Sequence, residues 1–108
     1  MYDEETVLCG ASAYTKKYYL NDIFDGLPEG IKEELKIMCV LYTEEVGGTI
    51  QLVFDEDGTL EICADAEEED ILFDEIGSAL KVKAMRREKG ELFEALEMYY
   101  RIFNCSAD

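Results

Sequence analysis

The chain has 108 residues, of which 26 are acidic and 10 are basic, so its formal net charge at pH 7 is −16. A surface of that sign repels phosphate backbones and anionic lipid, which argues against nucleic-acid and membrane partners. Histidine, the commonest general base, is absent and no catalytic motif is present, so a non-enzymatic role is favoured. The length suits a single domain over residues 1–108.

The first residues and the apolar runs predict a cytoplasmic location. The start, MYDEETVLCG, carries three acids before its first apolar pair, whereas a secretory signal begins with basic residues. The longest apolar run, IMCVLY at 37–42, is far shorter than the ~20 residues that cross a bilayer.

The cysteines are predicted to be structural thiols. No CxxC pair and no histidine accompany them, so neither a zinc site nor a disulfide framework is indicated, and no cofactor is expected. They are Cys9, Cys39, Cys63 and Cys105.

The N-terminal third contains two strand-like segments, TVLCG and part of AYTKKYYL, followed by NDIFDGLP, which is typical of a turn or a single helical turn. The basic and aromatic run at residues 16–19 superficially resembles a nucleic-acid patch. Because the chain is so acidic, we interpret this run as the amphipathic edge of a strand.

A helix is predicted over residues 29–46. Pro28 suits its first turn, and Gly47 and Gly48 supply a left-handed stop. A stripe at helical spacing supports this prediction. Its members are Ile31, Leu35, Met38, Tyr42 and Val46. The competing interpretation is a short helix ending at Lys36, followed by a buried strand at 37–42.

The segment FDEDG within residues 49–65 resembles an EF-hand calcium loop, but the ligand positions fail. With Gly58 as the sixth position, the first is Val53 and the twelfth is Ala64, both apolar. The flanking segments alternate with period two, which predicts a β-hairpin. Apolar residues share one face only if Phe54 opposes Leu60, leaving residues 56–58 as a three-residue loop.

The C-terminal segment 70–103 is predicted to be helical, with Asp70 as its N-cap. Its apolar stripe changes phase, and Gly77 and Gly90 interrupt it, which indicates a kink or break. An unbroken helix of this length would be ~50 Å long, too long for a small domain to cover. The segment therefore breaks or packs on another subunit.

These elements predict an α+β fold: a small antiparallel sheet, built on the hairpin 49–65 with room for an N-terminal strand, packed against helix 29–46 and a long or kinked segment 70–103.

Two charge clusters form the candidate interaction surface. The basic cluster consists of Lys81, Lys83, Arg86, Arg87 and Lys89, and the acidic tract at residues 65–70 contains Glu67, Glu68, Glu69 and Asp70. The basic residues either face water and neutralise nearby carboxylates, or pair with the acidic tract of a second copy in a two-fold dimer. The acidic tract also invites a divalent-ion site, but neighbouring side chains mostly point apart, so no ligands are assigned.

Several segments resemble a small family of uncharacterised acidic proteins from anaerobic Gram-positive bacteria, a domain of unknown function. They are VLCG at 7–10, KYY at 17–19, EEVGG at 44–48, FDEDG at 54–58, LFDEIG at 72–77 and ELFEALEMYYR at 91–101. The resemblance implies a bacterial, cytoplasmic, full-length single domain. It implies no activity, cofactor or catalytic residue.

Three functions follow as hypotheses. The first is an acidic, non-enzymatic protein-interaction domain that forms a homodimer. The second is a small-molecule binding module with a pocket between sheet and helices, which Tyr14, Tyr18, Tyr42 and Tyr99 would line. The third is a carboxylate enzyme that depends on a divalent ion, which requires acids that converge in a cleft.

Overall fold

The computed structural model describes residues 5–106 and the side chains of residues 5–102. Within this part of the chain the architecture is α+β, as predicted. The strands are β1 (Thr6–Ser12), β2 (Lys17–Leu20), β3 (Thr49–Phe54) and β4 (Leu60–Asp65), and the helices are α1 (Glu29–Glu45), α2 (Glu75–Glu88) and α3 (Gly90–Ser106). A short 3-10 helix, Asp22–Phe24, joins β2 to α1. None of the helices in the described residues has the length and apolar composition that crossing a membrane requires.

Strand β1 lies inside an antiparallel sheet with the order β2-β1-β3-β4. Its register with β3 slips between Val7, opposite Val53, and Cys9, opposite Leu52, so that Leu8 is the extra residue of a β-bulge. The bulge turns two consecutive residues, Leu8 and Cys9, into the core, where both are fully buried. A pattern of period two cannot indicate such a pair, so sequence analysis found the strand but not the bulge.

The hairpin of β3 and β4 has the predicted register, with Phe54 opposite Leu60. Gly58 has φ of +88°, the left-handed conformation that glycine adopts most easily. The Asp55 carboxylate accepts hydrogen bonds from the backbone N–H groups of Asp57 and Thr59 at 2.9 and 3.0 Å. This carboxylate therefore stabilises the turn.

Helix α1 is continuous through residues 37–42, so the helix prediction is correct and the competing strand is not formed. It ends where predicted, since Gly47 and Gly48 have φ of +91° and +71°. A Cβ atom on Gly48 would collide with the backbone oxygen of Asp65, so this position also requires the absence of a side chain.

The C-terminal segment breaks in two, and two details of its prediction are corrected. Helix α2 begins at Glu75 and its N-cap is Asp74, which accepts from the Gly77 N–H at 2.8 Å; Asp70 is not the N-cap. Gly77 lies in this first turn and breaks nothing, whereas the break falls between α2 and Gly90. Asp74 is the N-cap instead of Asp70 because residues 71 and 72 form a turn and are not part of the helix.

Helix α3 covers the sheet through an aromatic cluster. The rings of Phe54 and Tyr100 stack with centroids 4.1 Å apart, and Phe24 packs beside Phe54 at 5.6 Å. Glu97 of the same helix accepts a hydrogen bond from the Leu60 N–H at 2.9 Å. The cluster therefore joins α3, β3 and the 3-10 helix in one core.

Helices α1 and α2 are antiparallel neighbours joined by one buried polar contact. The hydroxyl groups of Tyr42 and Ser78 share a hydrogen bond of 2.6 Å, and both residues are buried. A buried hydroxyl that loses its partner costs more than the net value of the hydrogen bond. This pair therefore specifies how the two helices align.

We expect Tyr42→Phe and Ser78→Ala each to lower the free energy of unfolding by about 1–3 kcal/mol, because each leaves one buried hydroxyl without a partner. The double variant should lose less than the sum of the two, since it removes both polar groups. Urea unfolding of the four proteins measures this coupling. Strictly additive losses would show that the two hydroxyl groups do not depend on each other.

Candidate interaction surface

The ten basic residues divide into two equal groups, and all of them lie in the described part of the chain. Five form ion pairs with acids of the same chain: Lys32, Lys81, Arg86, Lys89 and Arg101. Five form no ion pair with any described residue: Lys16, Lys17, Lys36, Lys83 and Arg87. With 26 acids in the chain, an unpaired base is a site available to an external anion.

Three members of the predicted basic cluster are used within the fold, and none of them contacts the acidic tract. Lys81 pairs with Glu45 at 2.6 Å and Lys89 pairs with Glu34 at 2.9 Å, so these two residues attach the middle and the C-terminal end of α2 to α1.

The third, Arg86, reaches the sheet and donates to Glu61 of β4 at 3.0 Å. All three pairs are partly exposed, so each contributes at most about 1 kcal/mol to stability.

The two remaining members, Lys83 and Arg87, share the outward face of α2 with apolar residues. Ile76, Leu80, Lys83 and Arg87 are spaced by four, three and four positions, which places them in one stripe along the helix. Ile76 and Leu80 are 75% and 63% exposed. The opposite face of the helix carries the buried residues Ser78 and Met85. Helix α2 therefore has a second face that no described element covers.

The chain just before α2 continues this apolar surface. Ile71 and Leu72 are 90% and 87% exposed, which is unusual for two neighbouring aliphatic residues. Sequence analysis assigned them to a helix and did not foresee their exposure. The phase change of the apolar stripe concerned Ile76 and Leu80 and gave no signal for Ile71 and Leu72, which precede the helix.

The acidic tract lies beside the first turns of α2. Residues 64–68, Asp70 and Ile71 line a common depression with residues 73–76, Ser78 and Ala79. Within the tract Glu67, Glu68 and Glu69 are exposed and form no ion pair with any described residue. One end of the α2 surface is thus acidic and the other end is basic.

Tyr14, in the turn between β1 and β2, holds this tract in place. Its hydroxyl donates to the Asp70 carboxylate at 2.6 Å and accepts from the Glu67 N–H at 3.0 Å. The hydrogen bond to Asp70 raises the pKa of Tyr14. Asp70 is therefore occupied within the chain, which leaves the three glutamates as the available acids.

The four tyrosines proposed to line one pocket are dispersed. Tyr14 contacts the acidic tract, Tyr42 lies in the core, and Tyr99 packs near Phe24 with ring centroids 6.4 Å apart. Tyr18 alone of the four lines the cavity between the β1–β2 hairpin and α1. Among the described residues, no three carboxylate or thiol side chains come together as a metal site would require.

The cysteine side chains that the structure describes are free thiols. Cys9 and Cys39 are fully buried with their Sγ atoms 3.9 Å apart, while Cys63 is exposed. The contact with Cys39, together with burial, raises the pKa of the Cys9 thiol, so this thiol stays protonated. The side chain of Cys105 lies outside the described residues.

Comparison with known proteins gives a family without an activity. The chain belongs to a family of unknown function, DUF6145, whose model matches residues 5–108. No curated protein matches the chain. No solved structure matches it either.

Replacing Tyr14 with Phe tests how the acidic tract is held. We expect faster hydrogen exchange at the Glu67 amide, because this amide loses its acceptor, while the melting temperature stays the same because the contact is exposed. Tyr19→Phe is the matched control on the same hairpin. Unchanged exchange in Tyr14→Phe would mean that the tract is held by other contacts.

Proposed function

We propose that this member of the DUF6145 family is a non-enzymatic interaction protein that forms a homodimer through the outward face of α2. One observation carries the proposal: exposed Ile76 and Leu80 adjoin Lys83 and Arg87, the two bases of the cluster that form no ion pair with any described acid. A second copy supplies what this face lacks, which is apolar cover and carboxylates.

A two-fold axis makes the surface complementary to itself. In an antiparallel pair of α2 helices, Ile76 and Leu80 of one copy pack against the same residues of the other. Arg87 follows Ile76 by eleven residues, which is ~16 Å along a helix at 1.5 Å per residue. At that distance an antiparallel partner presents the start of its own α2 and the acidic tract beside it.

Charge favours this partner over a nucleic acid or a membrane, which are not part of the proposal. Each copy carries a net charge of −16, so two copies repel each other at long range. Local contacts between Lys83 or Arg87 and the glutamates of the tract oppose this repulsion at the interface. Because one helix face and a short segment bury little area, we expect a weak dimer.

The remaining acidic surface is suited to a basic protein partner, which the dimer would present in two copies. We also propose a location in the bacterial cytoplasm, which the resemblance to proteins of anaerobic Gram-positive bacteria implies.

Removing the apolar part of the surface tests the dimer. Sedimentation equilibrium of the wild-type chain, up to about 1 mM, should show mass rising from 12.3 kDa toward twice that value. We expect Ile76→Ser/Leu80→Ser to remain monomeric, and Ile23→Ser, at an exposed isoleucine in the 3-10 helix, to associate like the wild type. A wild-type chain that stays monomeric throughout would overturn the proposal.

Exchanging charges tests the orientation of the two copies. At about 0.15 M salt, long-range repulsion is screened beyond ~8 Å but contacts survive. We expect Lys83→Glu/Arg87→Glu to weaken association at least about tenfold, because each contact occurs twice in a two-fold dimer. Adding Glu68→Lys/Glu69→Lys restores the wild-type net charge and should restore association.

The matched control for the charge exchange is Lys17→Glu/Lys36→Glu, which changes the net charge equally at two unpaired bases outside α2. If this control weakens association as much as Lys83→Glu/Arg87→Glu does, net charge alone explains the effect. If the fourfold variant fails to recover, the acidic tract is not what the α2 bases contact.

A further inference from the structure

A cavity of about 440 Å³ lies between the β1–β2 hairpin and α1, and the proposed dimer does not use it. Its volume falls in the range of sites for small molecules. The hairpin contributes residues 11–13 and 16–18, and one face of α1 contributes Lys36, Val40, Thr43 and Glu44. The cavity therefore lies between α1 and the edge of the sheet that the outer strand β2 forms.

Three of the five unpaired bases of the described chain line this one cavity: Lys16, Lys17 and Lys36. Glu44 is the one acid among the lining residues, and it forms no ion pair with any described base. Positive charges that line one cavity together attract an anion more strongly than any one of them does alone. The chain has 26 acids, yet none of the described ones forms an ion pair with these three lysines.

The turn that carries Lys16 is held in a strained conformation. Lys16 has φ of +56°, the one positive φ among the described non-glycine residues. This conformation costs about 1–2 kcal/mol for a residue with a side chain. The Lys16 N–H donates to the Ser12 carbonyl at 2.8 Å, which holds the turn. Glycine or asparagine would adopt this conformation with less strain than lysine. Strained residues of this kind cluster at functional sites.

Two neutral features complete the cavity. The Ser12 hydroxyl oxygen accepts from the Tyr14 and Thr15 N–H groups at 3.1 and 3.3 Å, so its own proton remains available to donate. Ala11, Val40 and Tyr18 supply an apolar surface behind the charged groups. The Tyr18 hydroxyl is buried beside the Cys9 thiol, and burial raises its pKa, so this side chain stays neutral.

We propose that this cavity binds a small organic anion, a carboxylate or phosphate carried on an apolar or aromatic body. Lys16, Lys17 and Lys36 neutralise the anionic group, and the body packs on Ala11, Val40 and the ring of Tyr18. The negative charge of the ligand is attracted to all three lysines, which favours binding. The hypothesis of a pocket between sheet and helices thereby gains a location and a class of ligand.

Chemical-shift titration of the full chain by NMR tests the site, with phenyl phosphate, benzoate, inorganic phosphate and benzyl alcohol as probes at constant ionic strength. We expect saturable shifts at amides of residues 11–18 and 36–44 with phenyl phosphate, benzoate or both, and the tighter of the two identifies the anionic group. Benzyl alcohol, which has the ring without the charge, should bind at least about tenfold more weakly. Equal affinity for inorganic phosphate and phenyl phosphate would contradict the proposal, because it would show that the apolar surface does not contribute to binding.

Variants separate this site from general attraction to lysine. Lys17→Gln/Lys36→Gln should weaken binding of the preferred probe roughly tenfold, since each exposed charge contributes modestly. The matched control is Lys81→Gln/Arg101→Gln, which removes the same charge at two bases outside the cavity. Shifts that rise linearly without saturation, or an equal loss in the control, would overturn the proposal.

Discussion

The structure depends on covering one apolar face of a four-stranded sheet. Residues of β1, β3 and β4 on this face are fully or almost fully buried, among them Cys9, Leu52 and Leu60. An antiparallel sheet can leave its other face exposed to solvent, so all three helices pack on the apolar face. The stacked rings of Phe54 and Tyr100 show how directly α3 is fixed to β3. How much of each helix is buried against the sheet decides which of its side chains remain exposed.

Helix α2 is the least used of the three in covering the sheet. It contributes Ser78 and Met85 to the buried region, and its ion pairs with Glu45 and Glu34 fasten it to α1. Its remaining face is available to a partner because two helices and the sheet already occupy the core. Five bases pair with acids of the fold, and the five that pair with no described acid lie on α2 and at one cavity.

Sequence reasoning succeeded where a local pattern carries the information. Parity placed Phe54 opposite Leu60, and two glycines ended α1, because both depend on neighbours along the chain. It failed where one residue competes with another. Asp70 and Asp74 are both suitable N-caps by type, and only packing decides that the chain turns through residues 70–73 before the helix begins.

By itself, the sequence determined the α+β class, the hairpin, helix α1 and the break in the C-terminal segment, since these follow from periodicity, turn residues and helix length. Only the tertiary structure decided which bases find acids. Lys81 and Lys83 are alike in the sequence, yet one meets Glu45 of α1 and the other faces outward. The two side chains point in different directions from α2. Which of these directions leads to an acid is decided only when α2 packs against α1.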